Sequence, residues 1–210
     1  MNVLLKVLFH PLLMPMFSIL GIAAVSPDYL GDDPVLGGIM IFFLSTLLPA
    51  IAIAMMRVLG LSRAKSDNPR MDQIGPMLVV AVFYLWLFKN LNDNTAMDPI
   101  VRHLILGACI SLFLGFFMNL FEHVHLYFTG IGYLAASWTL LFLQLENAEM
   151  GIPIGGQVYI VNLALIAALI LILGALGFLG LLHVLSDVKR EKVAGHWFIG
   201  FTGPFIAQFF

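Results

Sequence analysis

Charge is scarce in this chain and absent from its long apolar stretches. Only 10% of residues are Asp, Glu, Lys or Arg, against 61% hydrophobic. Runs such as Val35 to Met56 and Gln157 to Leu182 contain no charged residue at all. A water-soluble fold of this composition would have too little polar surface to stay dispersed. The near-absence of acids and bases within these runs also disfavours ion-coupled transport, because proton and ion pathways leave ionisable groups facing the bundle interior. The polar residues noted at span centres are Ser111, Thr139 and Asn162. Cysteine is almost missing: Cys109 stands alone, which excludes an intramolecular disulfide and reads as a small packing residue. No His-Glu-x-x-His or Cys-x-x-Cys spacing occurs, so no metal site is expected. No gap between apolar runs is longer than Arg57 to Gln73, which leaves no room for an inserted soluble domain.

What is present is a series of membrane-spanning patterns. A bilayer core needs about 20 apolar residues per helix, and a charge at mid-span costs roughly 2.5 to 3.5 kcal/mol on insertion scales. Spans are predicted at Leu4 to Val25, Val35 to Met56, Ile74 to Leu91, Ile100 to Leu120, Leu126 to Leu145 and Gln157 to Leu182. A shorter seventh, Val193 to Phe210, carries Gly195, Gly200, Gly203 and Pro204, and reads as a kinked span or a segment packed part-way in. The expected fold is therefore an all-α polytopic transmembrane bundle, one membrane domain over residues 1–210. Lys6 precedes the first apolar run, but Pro11 and Pro15 interrupt it and no small-x-small cleavage site precedes Ser26-Pro27, so it reads as a span and not as a signal peptide. Gly107, Ser111 and Gly115, and in the next span Gly132 and Ala136, fall at spacing four, the pattern that lets helix backbones approach closely.

The basic residues alternate between dense and sparse gaps. Lys6, Arg57, Arg63, Lys65, Arg70, Lys189, Arg190 and Lys192 fall on one side of the predicted topology, Lys89 and Arg102 on the other. The positive-inside rule then predicts a cytoplasmic N-terminus, in what the small size suggests is a bacterial inner membrane. The opposite loops are acidic, with Asp28, Asp32, Asp33, Asp93, Asp98, Glu146 and Glu149.

Three gaps emerging on the same face hold the candidate chemistry. They are Arg57 to Asp72, Glu122 to Gly132 with His123 and His125, and His183 to His196. Arg and Lys bind phosphate oxygens, and His acts as nucleophile or general acid and base. The bland alternatives are that the cations satisfy topology and touch anionic headgroups, and that the histidines are interfacial polar residues.

At these residues the chain resembles the type 2 phosphatidic acid phosphatase (PAP2) superfamily, membrane enzymes that remove phosphate from lipid phosphates through a phospho-histidine intermediate. The resemblance lies in His10-Pro-Leu-Leu-Met-Pro15, in the basic gap followed by Pro76 and a span, in Thr129-Gly-Ile-Gly132 and in the glycine-spaced end of the chain. The family's first motif, Lys-x6-Arg-Pro, has a counterpart in Arg63-x6-Arg70, with Met71 for Pro. The second, Pro-Ser-Gly-His, is replaced by a segment with Glu122 and Val124 before its histidines. The third, Ser-Arg-x5-His-x3-Asp, fits in two ways. Spacing selects Arg190-x5-His196, with Gly200 in place of Asp. Aligning the glycine-rich helix around Gly200-Phe201 instead puts Val188 at the nucleophile's position. The resemblance implies either a lipid-phosphate phosphohydrolase or the same bundle without the chemistry, serving a structural, lipid-binding or partner-binding role. In the first case Arg63, Lys65, Arg70 and Arg190 hold phosphate, His196 attacks and His125 protonates the leaving oxygen. Membrane lipids, lipid phosphates among them, are the expected partners. Nucleic acid is not, and no cofactor is called for. Familiar members of the family carry their site on the external face, whereas the charge distribution here puts these gaps inside.

Overall fold

The computed structural model describes residues 10–25, 27–61, 69–93, 97–144, 149–154, 157–162 and 190–210. The architecture is predominantly helical. Three helices are long and apolar enough to cross a membrane: Pro34–Val58, Arg70–Asp93 and Pro99–Phe121. These coincide with the second, third and fourth predicted spans, each extended by a few residues at its ends.

Helix α1, Met14–Val25, begins late because of its prolines. Pro15 lies in the first turn, where a missing N–H is no loss. The turn ahead of the helix is closed by Leu13 N–H donating to the His10 carbonyl at 2.9 Å. The carbonyl of Leu12 is left for side chains, and the hydroxyls of Tyr84 (3.2 Å) and Thr46 (3.3 Å) donate to it.

Helix α2, Pro34–Val58, starts on a strong cap. The Asp33 carboxylate accepts from the Val35 and Leu36 amides at 3.1 and 3.0 Å, with Pro34 at the first helical position. A π-helical turn, Phe43–Leu47, interrupts it just before Pro49. Pro49 has no N–H to donate and its ring crowds the preceding turn, and a local widening relieves both. The turn also carries Ser45 and Thr46 to the protein side, where both are buried. At its end, Gly60 adopts φ 73°. Its amide bonds to Arg57 O and that of Leu61 to Met56 O, a Schellman stop that needs the left-handed conformation glycine supplies.

Helix α3, Pro69–Asp93, presents Met77, Val80, Ala81, Tyr84, Leu87 and Leu91 inward, a 3.6-residue stripe, and Val82, Leu85 and Trp86 outward. Helix α4, Pro99–Phe121, is capped by Asp98, which accepts from Ile100 N–H at 2.8 Å. Helix α5 is Leu126–Gln144 and helix α6 is Arg190–Ala207. One apolar cluster joins Ile19, Ile22, Leu30, Ile41, Leu91, Val101, Ile105 and Trp138. A second joins Leu12, Met14, Val80, Tyr84, Cys109, Leu112 and Tyr133. Cys109 is buried, its Sγ 3.4 Å from the Ala81 carbonyl.

Helix α6 is seated by small residues. A methyl at Gly107 would lie 2.6 Å from Pro204 Cα, one at Gly203 would meet Ser111, and ones at Gly132 and Gly200 would run into the Trp197 and Thr129 carbonyls. Ser111 Oγ donates to Gly200 O at 3.0 Å, tying α4 to α6 through the same seam. The spacing-four pattern of Gly107, Ser111 and Gly132 is thus the floor on which the last helix lies.

Two expectations need correction. Gln157–Asn162 is a strand, β2, and not the start of a helical span. It pairs antiparallel with β1, Glu149–Ile154, in the register Glu149↔Asn162 through Ile154↔Gln157. The segment Gln157-Val-Tyr-Ile-Val-Asn162 is rich in β-branched and aromatic residues, and the dipeptide between the strands is Gly155-Gly156, a composition that tight hairpins favour. Asn162 is accordingly a strand residue and not a polar group at a span centre. The remainder of the predicted sixth span, 163–182, lies outside the described residues, as does 4–9 of the first. Secondly, α6 begins at Arg190 and ends at Ala207, so the seventh segment starts three residues earlier than read and Gln208 to Phe210 form a turn. The fifth segment is helical as expected, but its apolar part, Leu126–Leu141, is shorter than the three candidate spans.

Candidate functional site

The polar residues of interest meet where α3 begins, α4 ends, and α5 and α6 begin. Helix α4 must stop at Phe121, because the next residues leave the helical region. Glu122, with φ −140° and ψ 146°, is extended, and its amide makes the last bond to Met118 O. The carbonyls at the end of the helix then need other partners. Arg70 Nη1 donates to Phe121 O at 3.0 Å, placing a cation on the negative end of the α4 dipole.

Asn119, fully buried, organises the turn. Its Nδ2 donates to the Arg70 carbonyl at 2.7 Å and its Oδ1 accepts from Val124 N–H at 3.0 Å. One amide side chain thereby fastens α3 to the α4–α5 turn and sets where the following histidines stand. Sequence reading overlooked Asn119. Its signal was a lone amide among apolar neighbours at a span end, six residues ahead of His125.

His125 sits at the centre of an aromatic group. Its ring centroid is 5.0 Å from that of His123, 5.5 Å from His196 and 5.6 Å from Tyr127. The Tyr127 hydroxyl lies 3.2 Å from His125 Nδ1. Tyr127 is a second residue to which sequence reading assigned no role. The His125 backbone amide donates to His196 Nδ1 at 3.4 Å. His196 is 4% exposed, on the buried face of α6. His123 Nδ1 is buried without a hydrogen-bond partner among the described residues, and burial lowers the His123 pKa from its ordinary value.

The structure thus brings His125 and His196 together, and Asn119 ties the Arg70 carbonyl to the turn that leads to His125. Arg190 opens α6. Arg63 and Lys65 lie outside the described residues, as does Val188. Two carboxylates come to the same end, Asp72 in the first turn of α3 and Glu122 just past α4.

The chemistry open to this arrangement follows from its hydrogen bonds. A neutral imidazole that accepts at Nδ1 carries its proton on Nε2. In His196 the Nδ1 lone pair is engaged by the His125 amide. A nucleophilic imidazole would instead donate from one nitrogen to an orienting acceptor, the part a carboxylate plays in His-based catalysis, and Gly200 stands where such a carboxylate was sought. Arg70 has given a guanidinium N–H to a backbone carbonyl. Among the described residues, no group of three His, Cys, Asp or Glu side chains is placed to hold a metal ion.

The chain matches no known family, no characterised protein and no solved structure.

Proposed function

We propose that this chain is a polytopic membrane protein of PAP2-like arrangement that keeps the helical bundle without phosphohydrolase chemistry, and that its polar end contacts the phosphate-bearing headgroups of membrane lipids. The observation that carries this reading is the hydrogen bond at His196. Its Nδ1 accepts from the His125 amide at 3.4 Å, so that lone pair is turned to the backbone and not to a phosphoryl group. The topology that accompanies the proposal is seven membrane segments with a cytoplasmic N-terminus in a bacterial inner membrane. Arg57, Arg63, Lys65, Arg70 and Arg190 then face the cytoplasmic leaflet, where anionic lipid attracts cations by about 1 kcal/mol each.

A second reading has one observation in its favour. The 5.5 Å separation of the His125 and His196 rings would let two imidazoles serve one phosphoryl group, His196 attacking and His125 protonating the leaving oxygen. Arg63, Lys65, Arg70 and Arg190 would then cradle the phosphate.

The test is phosphate release from a panel of lipid mono- and diphosphates by the detergent-solubilised full chain, alongside His196→Ala and Arg70→Ala. No release by the folded protein is the expected result. Turnover that disappears in both variants would overturn the proposal in favour of the hydrolase.

A further inference from the structure

Lys89 and Arg102 are the two cations that the sequence places at the basic-poor end of the bundle. The fold brings them to one spot on neighbouring helices. Arg102, in the first turn of α4, donates from Nη1 to Asn92 Oδ1 at 3.2 Å. Lys89 and Asn92 together line the head of a groove on α3 of about 420 Å³. The rest of the groove is Val82, Leu85, Trp86 and Phe88, and of these Val82, Leu85 and Trp86 are 59%, 48% and 49% exposed.

We infer that this groove is a binding site for an anionic phospholipid. Its phosphodiester meets Lys89 and Arg102, and one acyl chain lies along Trp86, Leu85 and Val82. Length, chemistry and charge agree on this occupant. From Val82 to Asn92 the helix rises about 15 Å at 1.5 Å per residue, which is half of a hydrocarbon core about 30 Å thick, the depth of one leaflet. The groove is apolar along its length and polar only at its head, with Trp86 in the position that interfacial tryptophans favour. Lys89 can lay its methylene stem on the apolar wall and lift its ammonium to phosphate level. Asp93 stands one turn after Lys89, and the Asp98 carboxylate is turned to the Ile100 amide as the α4 cap, so the Lys89 ammonium and the Arg102 guanidinium are the groups at the head of the groove that meet a phosphodiester. A zwitterionic headgroup would bring its own cation to the same place. The site lies at the end of the bundle opposite His125 and His196 and does not depend on their role.

Trp86 makes the site readable. The full chain is reconstituted in vesicles of equal parts phosphatidylglycerol and phosphatidylcholine, with brominated chains on one lipid or on the other, and tryptophan quenching is compared. Bromine on the anionic lipid should quench more, reflecting a roughly fivefold local enrichment, the size expected for one Lys or Arg meeting anionic lipid at a membrane surface. Trp86→Phe should abolish the difference, because Trp138 and Trp197 lie elsewhere. Lys89→Gln combined with Arg102→Gln should also abolish it. Lys89 is exposed, so Lys89→Gln alone, which should reduce the difference, serves if the double variant is unstable. Equal quenching by both lipids, or a preference that survives loss of the cations, would overturn the inference. So would protection of Trp86 from both lipids, the sign of a protein partner in the groove.

Discussion

Helices α2 and α4 are nearly equal in length and hydropathy, yet they live in different surroundings. Half of the most apolar stretch of α4 is buried within the protein, against 22% of that of α2. Leucine, isoleucine and phenylalanine serve equally well against lipid and against another helix, so apolar content does not separate the two cases. Small residues facing small residues do. Gly107 and Ser111 of α4 meet Pro204, Gly200 and Gly203 of α6, with Gly107 close to the Pro204 backbone. Among the described residues, a methyl added at Gly38 of α2 would meet only Leu30 Cδ1, at 3.9 Å. The glycines a helix cannot lose mark the faces on which it meets protein: Gly107 in α4, and in α2 Gly37, where an added methyl would lie 2.5 Å from the Leu30 carbonyl oxygen.

The sharpest way to break this contrast is a side chain in the seam. Gly200→Leu would drive its Cβ into the Thr129 carbonyl, a backbone group that cannot step aside. The expected cost is at or above the top of the about 1–3 kcal/mol range for overpacking, seen as loss of folded protein in detergent. Gly38→Ala should instead be neutral or raise stability by roughly 0.5–1 kcal/mol, the helix preference for alanine over glycine. Equal losses in the two variants would refute the comparison.

Next in size is Asn119→Ala, which leaves the Arg70 carbonyl and the Val124 amide without their partner. Chemical unfolding should register a loss of about 1–3 kcal/mol. Asn90→Ala, on an exposed amide that reaches only Trp86 O of its own helix, should stay within about 0.5 kcal/mol. A smaller effect is expected at the π-helical turn of α2. Thr46→Val keeps the shape and removes the bond to Leu12 O, for a loss of about 0.5–1.5 kcal/mol. That result would show that α2, unburied over most of its length, is held at this turn by hydrogen bonding.

The smallest predicted effect is a pH dependence at the His123 turn. Burial lowers the folded-state pKa of His123 below its ordinary 6.5, so the unfolded chain takes up the proton first. Stability from this group is therefore complete above pH 6.5, declines as the pH falls towards the folded-state value, and levels off below it. Thermal unfolding from pH 7.5 downwards should show a shallower decline in His123→Gln. An unchanged slope would mean that the imidazole is as well solvated folded as unfolded.

Much of the helical layout was legible in the sequence. Charge-free length located α2, α3 and α4, because a transmembrane helix satisfies its own backbone and needs only apolar side chains around it. Spacing-four small residues marked faces of α4 and α5 for close approach, though not that α6 is the helix that meets both. The segment from Gln157 was misread because a run of Val, Tyr and Ile is apolar in either conformation. Strand pairing there depends on the partner Glu149–Ile154 and on the Gly-Gly between them, which a search for uninterrupted apolar length does not weigh. The meeting of His125 with His196 was anticipated as a convergence of gaps on one face. The atoms that govern its chemistry, the His125 amide and the Asn119 side chain, were not, because backbone donors and single amides have no spacing signature.

By itself the sequence determined that the chain contains long apolar helices, which of its gaps are basic, and that prolines interrupt its first apolar run. These properties are local or summed along the chain, and composition carries them. Only the tertiary structure decided that α4 is lined by protein while α2 is largely open to its surroundings, that Arg70 caps Phe121, that His196 accepts a hydrogen bond from a backbone amide, and that Arg102 bonds Asn92 at the head of the groove that Lys89 lines. Each of these depends on which residues far apart in sequence come within a few ångströms of each other, and hydropathy is blind to that distance.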